Sequence, residues 1–213
     1  MMIGGIGEGV KLYYVIQVMS GMEDKVEEQI GIIVEKRLYE GCFHPIRRVK
    51  KKIRGEWKEL REKLLPGYVF IISENVGELY QKLKSVTVFT KMLGKDGDEF
   101  IPLAEHEVQW LEEITGLESD GEDGNIGNSR NITSIKSDKN GNKKGNSKNM
   151  EVQISRVSVS EDDKITILSG PLKNMEGCIK KIDLHRRIAK VEVNFMNRKT
   201  VIHLGIEMVE KRR

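Results

Sequence analysis

The residue types that carry chemistry are present in this sequence, but they are not grouped for catalysis. His44, His106, His185 and His203 stand in different segments, without a nearby carboxylate or thiol pattern. Cys42 and Cys178 lie far apart with no CxxC, so neither a zinc site nor a disulfide framework is indicated. A reducing cytoplasm is the expected compartment. Gly5-Ile6-Gly7-Glu8-Gly9 has no strand ahead of it and lacks the spacing of a dinucleotide loop. Gly141 to Gly145 lacks the Gly-Lys-Ser/Thr of a P-loop. No catalytic residue, metal or cofactor is expected, and no enzymatic activity.

What remains is positive charge, whose chemistry is the binding of phosphates. Arg47, Arg48, Lys50, Lys51, Lys52 and Arg54 form one run of six cations. Such a run is either a solvated tip, partly neutralised by Glu56, Glu59 and Glu62, or a sequence-blind contact to DNA or RNA. A second group, Lys173, Asn174, Lys180, Lys181, Arg186, Arg187, Arg198 and Lys199, gathers at expected turns and strand ends. Converging on one rim, these would make a basic surface with an Asn amide able to reach base edges. The segment charges favour the second group: −2 for residues 1–116, +1 for 117–150 and +4 for 151–213. Few aromatics are available for stacking there, which points to structured RNA over a single strand.

The elements that must hold these residues divide at 117–150. That stretch holds seven Asn, five Gly, five Ser and eleven charged residues, and its few apolar positions follow no period. It has no face to bury, so it is expected to be a flexible linker between two domains. Its root-mean-square span would be roughly 30–35 Å. Before it, Leu12, Tyr14, Ile16 and Val18 alternate as a half-buried strand. Ser20 and Glu23 fit a capping box. Val26, Ile30, Ile33, Val34 and Leu38 keep the spacing of one helix face, ended by Gly41. Phe43–Ile53 and Trp57–Leu64 read as a hairpin around Gly55. Tyr68–Ile72 and Val86–Leu93 read as strands, with helices over 76–83 and 103–115. After the linker, β-rich runs over 164–168, 178–182, 188–194 and 200–204 suggest a small barrel. Gly170-Pro171 is expected to force a tight corner, and Gly177 to take positive φ or let another backbone approach closely. No apolar run approaches the length of a membrane span, and the first residues lack the pattern of a secretory signal.

Several of these stretches resemble a known family. Tyr13 to Glu23 resembles the opening strand and helix cap of the NusG N-terminal (NGN) domain. Leu65-Pro66-Gly67-Tyr68-Val69-Phe70 resembles its Pro-Gly-Tyr strand start, and Pro102-Leu103 before a Glu-rich helix its last element. Asp163 to Ile179 resembles the KOW motif of NusG-type transcription factors and certain ribosomal proteins. The resemblance covers nearly all of 11–116 and 151–210. It implies a tail over 1–10, an α+β NGN domain (antiparallel sheet with helices) over 11–116, the 117–150 linker, and a small all-β SH3-like KOW barrel over 151–213. Within the family, Glu176 to Asp183, Asn194 to Asn197, Gly205-Ile206-Glu207 and Lys91 to Gly94 are similar to the specialised LoaP antiterminators, which serve long operons and read a leader RNA element.

The implied function is transcription elongation and processive antitermination. Tyr14, Met19, Met22, Leu65, Pro66 and Tyr68 would line an apolar pocket for the clamp helices of the largest subunit of RNA polymerase. Lys84, Ser85 and Thr87 would contact the opposite side of the DNA channel. The barrel residues given above would hold nascent RNA, a leader hairpin, and the Arg47–Arg54 run would lie beside upstream DNA or RNA. Met175 stands where the general factor carries a Phe in the loop that contacts ribosomal protein S10 and Rho, which leaves those two partners doubtful. A monomer without membrane contact is expected. The rival readings are a general NusG-type factor whose barrel binds proteins, and a ribosome-associated KOW protein.

Overall fold

A computed structural model describes residues 12–115, 150–160 and 164–209. The expected tail over 1–10 and the expected linker lie outside these residues, except for Met150, which is buried. The N-terminal segment runs β1 (Tyr13–Val18), α1 (Glu23–Ile33), a 3₁₀ turn (Lys36–Leu38), β2 (Gly41–Phe43), β3 (Ile46–Ile53), β4 (Glu56–Lys63) and β5 (Tyr68–Ile72). It continues with α2 (Val76–Leu83), β6 (Phe89–Met92), β7 (Lys95–Asp96), β8 (Glu99–Phe100) and α3 (Glu105–Thr115). The C-terminal segment runs β9 (Glu151–Val152), β10 (Ser155–Val159), β11 (Ile165–Ser169), a 3₁₀ stretch (Pro171–Cys178), β12 (Ile179–Asp183), β13 (Ile188–Phe195) and β14 (Arg198–Met208). Helices plus antiparallel sheet in the first part and a small curled sheet in the second make the fold α+β followed by all-β.

The central sheet has the order β2-β5-β1-β6, and both faces of it are buried. This corrects the half-buried reading of the first strand. Tyr14, Ile16 and Val18 face Val26 and Ile30 of α1 and Leu79 and Leu83 of α2. Tyr13 and Val15, one step out of phase, join Phe70, Leu111 and Ile114 in a second core. That second core is completed by the C-terminal segment, through Val157, Leu172, Met175, Val191, Phe195 and Leu204. Phe70 stacks on Phe43 at 5.5 Å between centroids and meets Phe195 at 5.8 Å. Tyr68 meets Phe195 edge-on at 5.4 Å. Such ring pairs contribute about 0.5–1.5 kcal/mol each beyond their buried area.

Three local expectations are overturned. The capping box does not form: the residue before α1 is Met22, and Glu23, fully buried, accepts from the N–H groups of Gly21 and Gly67 while pairing with Lys63. Glu23 thus ties the start of α1 to the Pro66-Gly67 corner, a long-range use of a carboxylate that a local rule assigns to Ser20. The helix stops at Ile33 instead of Gly41, because Val34 is already extended, and Gly41 opens β2. Gly177 has neither positive φ nor a close neighbour. The constrained glycine of that motif is Gly170, at φ +94, where a Cβ would stand 2.7 Å from the Ser155 Cα.

The C-terminal sheet has the order β11-β10-β14-β13-β12. Its first strand, β10, is a short Ser-Arg-Val-Ser-Val segment that joins β14 in parallel. The 3₁₀ stretch from Pro171 to Cys178 crosses between the edge strands β11 and β12, with Leu172 and Met175 plugging the core. Among the described residues no helix is long and apolar enough to cross a membrane.

Candidate nucleic-acid interface and the seam beside it

The β3–β4 hairpin turns at Arg54 and Gly55, both at positive φ, which suits the twist of its strands. It leans on the C-terminal segment. Ile46 and Arg47 pair in parallel with Glu151 and Val152 of β9. Farther along, the Arg48 carbonyl sits where a Cβ on Gly205 would be, 2.2 Å from that position, so only glycine lets β3 cross β14 there.

This contact decides the fate of the six-cation run. Arg47 donates to the His203 carbonyl at 2.6 Å and pairs with Glu62 at 3.0 Å. Arg48 reaches Glu59 at 2.8 Å and Glu151 at 2.9 Å. Lys50 pairs with Glu207, and Lys51 with Glu62. Only Lys52 and Arg54 stand exposed without an ion pair among the described residues. Four of the six cations are therefore matched by carboxylates, in line with the partly neutralised reading of the run, and three of those four reach into the C-terminal segment. The carboxylates register this. Hydrogen bonding from Arg48 holds Glu151 below the ordinary range against its burial, and Lys50 does the same for Glu207.

The expected barrel rim also divides. Arg186 and Arg187 lie in the turn between β12 and β13, whereas Arg198 and Lys199 start β14 at the other end of β13. Eight strand residues separate the two turns, roughly 23 Å at strand rise. Lys173 and Asn174 precede β12 and are exposed at the end away from Arg186. Lys180 and Lys199 share Glu192 at 3.1 and 3.5 Å. Arg186 accompanies Asp183, and Arg187 lies 4.0 Å over the Trp57 ring of the hairpin. Lys181, exposed, has no ion pair among the described residues.

The residues expected to line one apolar pocket do not converge. Tyr14 faces the helices and is 3% exposed. Tyr68, opposite Gln17, faces the other way, against Phe195. Leu65 is buried in the core shared with the C-terminal segment. Met19 and Pro66 are exposed and Met22 is half-buried, all at one end of β1 and β5. Lys84, Ser85 and Thr87 stand exposed on the turn after α2, anchored by buried Val86. Lys84 lies 5.0 Å over Tyr80.

Sequence reasoning also missed the surroundings of His44. The ring is buried, its Nδ1 meets the Glu27 carboxylate, and its Nε2 lies 3.6 Å from Asp24. These carboxylates come from α1, a turn apart, and only the packing of α1 over β2 shows the match. Glu107 is another such residue: buried on α3, it accepts from the N–H groups of Ala104 and Met196. Cys42 is buried and Cys178 exposed, both as free thiols.

Residues 11–112 match the family model NusG, described as transcription termination factor nusG. Over those residues the chain is similar to the NusG family. It is 24% identical over 208 residues to the transcription termination/antitermination protein NusG of Rickettsia typhi, covering 95% of this chain and 91% of that protein. The Thermus thermophilus NusG is 25% identical over 209 residues, covering 93% and 97%. A solved structure of Thermotoga maritima NusG, described as showing domain interaction, aligns with 21% identity and a TM-score of 0.44 over 92% of this chain and 93% of that one. The proteins it resembles are transcription termination/antitermination factors, not enzymes.

Proposed function

We propose that this NusG-family chain is a processive antiterminator of the LoaP kind, which holds RNA polymerase through its N-terminal segment and nascent leader RNA through its C-terminal one. The observation that carries this reading is the distribution of unmatched charge. Four of the six hairpin cations meet carboxylates within the molecule, while Lys173, Lys181 and Arg198 of the C-terminal segment are exposed without an ion pair among the described residues. Met175 weakens the rival in which the barrel serves as a protein-docking module, since it is 6% exposed in the shared core. Polymerase is met at the end of the sheet that carries Met19, Met22 and Pro66, with Lys84, Ser85 and Thr87 as the second contact. Leu65 and Tyr68 join that surface only when Phe195 moves away. Residues 117–150 act as a tether whose length matters more than its sequence.

The test is binding of the intact chain to polymerase and to an RNA stem-loop, measured separately. Binding to both supports the antiterminator. Binding to polymerase with no RNA affinity at low salt assigns the chain to the general elongation factors. Binding to ribosomes without polymerase assigns it to the ribosome-associated KOW proteins.

A further inference from the structure

On β13 the residues Ala189, Val191, Val193 and Phe195 are buried, so Lys190 projects from the opposite, outer face of the sheet. In register, Lys190 stands beside Lys181 of β12 and beside His203 of β14. Like charges directly opposite in neighbouring strands are destabilising. The adjacent row of the same face relieves this repulsion with Glu192, which lies between Lys180 and Lys199. The Lys181–Lys190–His203 row has weaker relief: neither lysine forms an ion pair among the described residues, and Asp183 acts on Lys181 only at longer range.

The hairpin closes one side of this row. Crossing at Gly205, it brings Arg47 onto the His203 carbonyl, with Lys51 beside Arg47 on their shared partner Glu62. Two cations on one carboxylate leave a net positive corner. Burial pushes the His203 imidazole below its ordinary range, and Arg47 and Lys190 push it the same way against Glu62. Farther out, Trp57, 38% exposed, carries Arg187 on its ring, and Lys52 stands opposite Trp57 across the hairpin.

We infer that the outer face of the C-terminal sheet forms a phosphodiester-binding groove, with Lys181 and Lys190 as its charged floor beside His203 and the β3–β4 hairpin, whose Arg47 and Lys51 are already engaged by Glu62, as its wall. Its ligand is the backbone of a folded RNA, whose phosphates supply the negative charge that the row lacks within the chain. The inference rests on the RNA-binding reading above and goes further, because the groove needs residues of both segments and includes two, Lys190 and His203, that the charge pattern of the sequence does not single out. It also makes the site dependent on the seam: separating the hairpin from β14 removes the wall without removing a charge.

The test uses the intact chain and a fluorescein-labelled RNA stem-loop titrated at several salt concentrations. The double variant Lys181→Ala/Lys190→Ala should bind more weakly and flatten the slope of log K against log salt by roughly 0.7–0.9 per lysine. The control Lys25→Ala/Lys91→Ala removes the same charge from exposed positions of the N-terminal segment and should leave the slope unchanged. A second, independent readout is stability. Lys190→Glu relieves the unfavourable row, so it should raise the melting temperature by about 1–3 °C while abolishing RNA binding. Equal losses in the double variant and the control would make the attraction diffuse and overturn the groove. Normal RNA binding by both would overturn the groove while leaving RNA binding by the chain intact. No binding by the unmodified chain at low salt would overturn the groove and the RNA-binding reading together.

Discussion

The two basic regions of the molecule differ in what their charges meet. The hairpin run is the denser in sequence, yet Arg47, Arg48, Lys50 and Lys51 meet Glu62, Glu59, Glu151 and Glu207. The outer row of the C-terminal sheet has fewer cations, spaced nine and thirteen residues apart, and the fold brings them side by side with no carboxylate between them. A cluster of cations in sequence is therefore a poor guide to a phosphate site. What matters is the count of unmatched charges after folding. In the first region charge serves cohesion, tying the hairpin to β9 and β14. In the second it is left free at some cost in stability.

The comparison is broken most severely at Gly205. Gly205→Ala places a methyl group against the Arg48 carbonyl and the Val49 Cα, backbone atoms that cannot swing aside. Overpacking of this kind costs about 1–3 kcal/mol, and the larger figure is expected here. Chemical denaturation of the variant should show that loss, together with loss of the protection that the hairpin gives to β14. Arg47→Ala comes next. It removes a charged hydrogen bond to the His203 carbonyl and a pair to Glu62, for a loss of about 2 kcal/mol by the same measurement.

A pH series sharpens the same contrast. Glu151 and Glu207 have folded-state pKa values depressed below their ordinary 4.5, so the stability they contribute is present above that value. It is lost as pH falls through the depressed folded values. The hairpin should therefore loosen from β9 and β14 below about pH 4.5, whereas the Lys181–Lys190 row has no ion pair to lose there. Hydrogen exchange of β3 and β14 amides against those of the central strand β5, read between neutral and acid pH, checks this. The smallest effect is expected at the hairpin tip: Lys52→Ala with Arg54→Ala should change stability by less than about 0.5 kcal/mol, since neither residue has an ion pair among the described residues.

Much of the fold was legible wherever the contact is local. The helix over Val76–Leu83 and the hairpin around Gly55 follow from spacing and turn chemistry within a few residues. The first strand was legible in existence but not in environment. Tyr13 and Val15 are as apolar as Tyr14 and Ile16, and a continuous apolar run marks burial on both faces, a signal that the alternating reading passed over. The seam was not legible. Arg47 and His203 are 156 residues apart, and nothing near either predicts the other. The basic row was hidden for a related reason: the alignment of Lys181, Lys190 and His203 depends on strand register, which is set by the bulge after Ile179 and by the turn at Met196-Asn197. Glu23 shows the converse. Its type and position suggested a cap for Ser20, but full burial put it to work on Gly67 and Lys63.

The measurement that tests the account most directly is lysine acetylation footprinting of the intact chain, with and without the RNA stem-loop. RNA should protect Lys181 and Lys190 strongly, leave Lys25 and Lys91 unchanged, and alter Lys50 little because Glu207 already engages it. Protection spread evenly over exposed lysines, or confined to Lys52 at the hairpin tip while Lys181 and Lys190 stay reactive, would contradict it.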